Sequence, residues 1–107
     1  MSGTVNALRA RPGVLALGAD APDAFVVRVQ MPELWDTIAV RCAGDTSVLA
    51  LKQAALEAFG QHLHPVEDYV MKLRGFEVLD ESAPVTAAGA RDGSTFLLTY
   101  RRRRPVR

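Results

Sequence analysis

The chain has 107 residues, yet it holds one cysteine, one tryptophan and two histidines. It has no apolar run near the roughly 20 residues that a helix needs to span a bilayer. Each shortage excludes something. A lone thiol, Cys42, permits neither an internal disulfide nor a multi-thiolate metal site. It suits a reducing compartment, so the cytoplasm is the expected location. At the N-terminus, Arg9 and Arg11 precede a short apolar "VLAL" at residues 14–17, which Gly18 and Asp20 soon break. That is too short for the hydrophobic stretch of a signal peptide. No phosphate-cradling glycine loop is present, and no two carboxylates stand out as an acid–base pair. No cofactor and no metal is expected.

Charge is present in both signs but is unevenly spread. Thirteen Lys and Arg face twelve Asp and Glu, a net charge of +1. Arg101, Arg102, Arg103, Arg104 and Arg107 supply five of the positives, so residues 1–100 carry eight against twelve, or −4. An acidic body with a basic end suits contact with an acidic protein, a nucleic acid or an anionic membrane. A solubilising tail with no ligand has the same composition.

Residues 1–22 are rich in Gly, Ala, Pro and Asp, which favours an irregular lead-in, although residues 14–17 can dock as a short strand. Order begins at "AFVVRVQM". Phe25, Val27 and Val29 alternate with Val26, Arg28 and Gln30, the period of a half-buried strand. "PELW" interrupts it, because proline cannot serve a central ladder. "DTIAVRC" then resumes the alternation, with Ile38, Val40 and Cys42 on one face, so the two strands form a hairpin. In "GDTSVLALKQAALEAFG" a helix N-cap lies among Asp45, Thr46 and Ser47. Val48, Leu51, Ala55, Leu56 and Phe59 follow at helical spacing, and Gly60 supplies a stop. Beyond the Pro65 loop come a strand at residues 69–73, a turn at Arg74 and Gly75, and a short strand at residues 76–78. A long connection follows, with one helical turn expected near residues 84–88, and then a last strand at residues 95–100. The order is β-β-α-β-β-β. A single helix with one apolar stripe covers one face of a four- to five-stranded mixed sheet, an α+β fold in two layers.

That order is the β-grasp, and several strings resemble ubiquitin. "GDTSVLALKQAAL" is similar to its helix, which opens with Asp-Thr and carries a mid-helix lysine. "HPVEDYVMKLRGFEV" is similar to its proline-bearing loop, third strand and glycine turn. "PVTAAGARDGSTFLLTYR" is similar to its last stretch. The resemblance covers residues 25–101, with about one extra residue near residues 79–83. It implies a β-grasp domain at residues 23–101, between the lead-in at 1–22 and a basic tail at 102–107.

The departures shape the functional expectation. Conjugated modifiers end in Gly-Gly, whereas the corresponding positions here read Arg103–Arg104–Pro105, so conjugation is not expected. The central apolar position of ubiquitin's binding patch falls on Lys72, so readers of that patch should bind poorly. Diglycine-free relatives of this fold include Ras-binding-type domains, small ubiquitin-like proteins of bacterial type VII secretion, and small subunits of bacterial multicomponent oxygenases. That form implies a bacterial chain. A modifier or an accessory subunit of such a system is an alternative role.

Catalytic readings find little support. Cys42 falls on the inward register of its strand, which makes it a structural thiol rather than a nucleophile served by His62 or His64. Those histidines, with Glu67 and Asp68 near, lack a full zinc ligand set. What remains is a non-catalytic, protein-binding surface. Alternation places Val70, Lys72, Leu97 and Thr99 on the open face of the sheet. The hairpin tip, Leu34 and Trp35, belongs near its edge, and Arg101, Arg102, Arg103 and Arg104 flank it. An aromatic beside a cationic rim is the composition of a binding hot spot for a partner with an acidic patch. Trp35 folded back as a lid is the competing reading. Nucleic-acid or anionic-surface binding through the tail is the alternative function.

Overall fold

In a computed structural model, residues 14–18, 20–61 and 64–101 are described. Six strands and one long helix run in the order β1 (Leu15–Leu17), β2 (Phe25–Met31), β3 (Asp36–Cys42), α1 (Val48–Phe59), β4 (Tyr69–Leu73), β5 (Phe76–Glu77) and β6 (Thr95–Tyr100). The strands form one mixed sheet, β1-β3-β2-β6-β4-β5. β2 pairs antiparallel with β3 and parallel with β6, and β4 lies antiparallel to both β5 and β6. The short strand allowed for at residues 14–17 forms, and it makes the sheet six-stranded where four to five strands were expected. Leu15–Leu17, inside the stretch read mainly as irregular, pairs parallel with β3 as the outermost strand. Leu17 packs against the core, and Leu15 and Ala16 stay exposed.

The alternation in the sequence becomes two faces. Val27, Val29 and Met31 of β2 and Ile38, Val40 and Cys42 of β3 are buried together. Tyr69, Met71, Leu73, Phe96 and Leu98 join them from β4 and β6. Val48, Leu51, Ala55, Leu56 and Phe59 of α1 cover this face, and each such burial contributes about 1.5–3 kcal/mol for a large side chain.

The ends of α1 have explicit partners. Ser47 Oγ accepts from the Ala50 N–H at 3.0 Å. The Val48 and Leu49 N–H groups, which have no partner inside the helix, donate to the carbonyls of Ala83 and Glu81 at 3.0 and 2.8 Å. The long connection to β6 therefore folds over the helix N-terminus, and Val85 and Ala90 within it enter the core. Residues 85–89 form turns there, and the Ala88 N–H donates to Pro84 O at 3.2 Å, a single helical-type turn where one was expected. At the other end Gly60 adopts φ 73° and its N–H donates to Glu57 O, a left-handed cap that suits glycine. The β4–β5 turn uses left-handed angles at Arg74 and Gly75, φ 55° and 85°, matching the mirror-type hairpin turn.

Candidate interaction face

The face away from α1 is set by strand register. Ala16 of β1 stands opposite Arg41 of β3, which stands opposite Val26 of β2. Ala39, Arg28 and Thr95 form the next row. Thr37, Gln30, Leu97, Lys72 and Glu77 form the row after that. Thr99 and Val70 face each other beyond it. Lys72, Leu97 and Thr99 therefore share the open face and are half-buried.

Val70 lies on that face too, but it is only 6% exposed, so the expectation that it offers contact area is corrected. Register lays an ion pair across its strand. Arg101 follows β6 and Glu77 lies on β5, so their ion pair crosses β4, the strand that carries Val70. The Arg101 N–H also donates to Asp68 O at 2.7 Å, which continues the β4–β6 ladder past Tyr69 and Tyr100. Arg101 thus rests its stem on the sheet with its head engaged by Glu77. Arg102, Arg103 and Arg104 lie outside the described residues, as does His62.

The hairpin tip has a fixed shape. Residues Pro32–Leu34 make a single 3-10 turn, closed by a bond from the Trp35 N–H to Pro32 O at 3.0 Å. Trp35 takes φ 53°, a left-handed angle uncommon for a bulky residue, and stands 94% exposed. The lid reading of Trp35 is therefore overturned. Leu34 beside it is also exposed. Glu33 fastens this tip to β6, because its Oε2 accepts from the Tyr100 N–H at 3.2 Å. The tip, Tyr100 and Arg101 consequently occupy one end of the sheet.

Next to that end is an aromatic cluster. The Tyr100 ring lies 4.4 Å from the His64 ring and 5.4 Å, edge-on, from Tyr69. Burial pushes the Tyr69 phenol above its ordinary value, and Tyr100, Glu33 and Asp68 add to the shift. Burial likewise pushes the Cys42 thiol up, which keeps it protonated and unreactive. No group of three His, Cys, Asp or Glu able to hold a metal ion occurs among the described residues. No helix among them is long and apolar enough to cross a membrane. An open groove of about 590 Å³ lies beside β5, lined by Leu73, Phe76, Val78, Leu79 and Ala87 among others.

Register also puts Arg28 and Arg41 on the open face, beyond the residues expected to form the site. Both are exposed. Neither they nor Lys72 have an ion-pair partner among the described residues.

Comparison with known proteins agrees with this architecture. No protein-family model matches the chain, and no curated protein sequence does. Solved structures do. A ubiquitin-like domain from Arabidopsis thaliana superposes with a TM-score of 0.64 at 16% identity, covering 81% of this chain and 87% of that one. Ubiquitin of Caldiarchaeum subterraneum gives 0.63 at 14% identity, over 75% and 96% of the two chains. The ubiquitin-like domain of Plasmodium falciparum Dsk2 gives 0.59 at 25% identity, over 72% and 97%. The chain has a ubiquitin-like β-grasp fold.

Proposed function

We propose that the protein is a non-catalytic interaction module that binds another protein through the open sheet face and the hairpin tip, and that it is not conjugated. The observation that carries this reading is Trp35. A large aromatic held 94% exposed in a left-handed conformation, with Leu34 beside it, loses its contact with water only when a partner covers it. Lys72, Leu97 and Thr99 extend the surface along the sheet, and Arg101 marks its rim. The four arginines after Arg101 support steering of an acidic partner.

The test is quantitative capture with the full chain as bait. Trp35→Ala and Lys72→Glu should each reduce recovery of the same native partner, while Gln53→Ala, on the exposed side of α1, should leave it unchanged. Equal recovery by all three variants would remove the surface from consideration.

A further inference from the structure

Charge is unevenly spread over this molecule. Residues 1–100 carry eight Lys and Arg against twelve Asp and Glu, or −4, although the whole chain is +1. On the open-face positions of the strands the balance is reversed. Arg28, Arg41 and Lys72 stand there with one carboxylate, Glu77. That carboxylate is already engaged by Arg101. Three cations on one face thus make no ion pair with a described carboxylate, and the Asp92 carboxylate near them is taken up by the Val26 N–H at 3.0 Å.

Their positions follow from register. Arg41 is opposite Val26 and Arg28 is opposite Ala39, so the two guanidinium groups sit on a diagonal of neighbouring strands, about 7–8 Å apart at Cα. Lys72 lies two strands from Arg28 and one row further, about 12 Å away at the usual strand spacing and rise. The three follow one oblique line across the sheet. Thr95 and Leu97 lie between Arg28 and Lys72.

The geometry points to a specific ligand chemistry for this face: an extended, acidic polypeptide segment of the partner, laid obliquely across β3, β2, β6 and β4. In an extended chain every second side chain points the same way, about 7 Å apart. Carboxylates at alternate positions therefore meet Arg41 and Arg28 in turn, and one about four residues further reaches Lys72. A nucleic acid offers similar charge spacing, but its phosphates continue beyond the face toward residues 1–100, whose net charge is −4. A short acidic peptide stays within the cationic line. This inference rests on the proposed protein-binding role and names the partner's chemistry.

Fluorescence anisotropy with the full chain tests it. The probes are a labelled peptide of about twelve residues alternating Glu and Thr, its Gln-Thr counterpart, and an oligothymidylate of about the same length. The Glu-Thr peptide should bind, weaken as salt rises from about 50 to 200 mM, and lose about tenfold or more in affinity in Arg28→Glu/Arg41→Glu. Arg28→Gln and Arg41→Gln, single neutral changes at exposed positions, should each lose a smaller factor and guard against misfolding of the double variant. The Gln-Thr peptide should not bind. Undiminished peptide binding by the charge-reversed chain, or no binding by the wild type, overturns the inference. So does oligothymidylate binding tighter than the peptide, which would assign the face to nucleic acid. If Trp35→Ala still abolishes partner capture while the peptide ignores Arg28 and Arg41, the inference fails and the protein-binding reading stands.

Discussion

The Lys52 ammonium lies 2.6 Å from Glu81 Oε1 and donates to the Tyr69 carbonyl at 2.8 Å, with its side chain 2% exposed. One buried cation thereby joins α1, the connection after β5 and the start of β4. Removing it leaves a partly buried carboxylate and a buried carbonyl without their partner. Lys52→Ala should cost about 2–4 kcal/mol in urea unfolding, and Lys52→Met, which keeps the stem, should cost less. A loss below about 1 kcal/mol for Lys52→Ala would show that the cation is not holding these segments together.

Trp35 combines an unfavourable backbone angle with near-complete exposure. Relief of that angle by glycine offsets the extra freedom glycine gives the unfolded chain. Trp35→Gly should therefore leave stability unchanged or raise it by up to about 1 kcal/mol, while partner binding falls. A clear destabilisation on thermal unfolding would mean that the indole packs on the domain.

The bridge between Arg101 and Glu77 is partly exposed at both ends. Its stabilising effect should be small, below about 1 kcal/mol for Arg101→Ala. Its structural effect should be visible at Val70, whose amide and methyl resonances shift on that substitution because the cover over β4 is gone. Unchanged Val70 resonances would place the cover elsewhere.

Alkaline pH should destabilise the fold. Burial raises the Cys42 thiol above its ordinary 9.0, and the Tyr69 phenol lies above its ordinary 10.0 through burial first and then its anionic and phenolic neighbours. Both groups are neutral when protonated, so the unfolded chain gives up these protons at lower pH than the folded one. The associated stability is complete below the unfolded values and is lost as pH rises through the folded ones. The urea midpoint should drop between pH 8 and 10, and Cys42→Ala, although less stable at pH 8, should show a shallower drop. A midpoint that holds steady or rises would contradict the assignment.

Much of this fold is legible in the chain because β2, β3 and β6 alternate cleanly. Val27, Ile38, Leu51 and Leu98 reach one interior because their own segments have the right period. What the sequence hides are contacts between distant segments. Val70 has the parity of an open-face residue, but an ion pair between residues 24 apart crosses its strand. Lys52 reads as a helix former until the connection after β5 brings Glu81 to it. Leu15–Leu17 becomes a strand because β3 offers an edge, not through three residues' own preference. The left-handed angle at Trp35 belongs to the closed turn after Pro32, and nothing in an isolated tryptophan signals it.

The central claim is that partners dock on the open face and the hairpin tip. Its most direct measurement is a map of backbone amide shifts on the labelled full chain during titration with the captured partner. The account predicts that the largest changes cluster at Trp35, Arg28, Lys72, Leu97 and Thr99. Changes concentrated on the exposed side of α1, at Gln53 and Glu57, or along the β5 groove at Phe76 and Leu79, would contradict it.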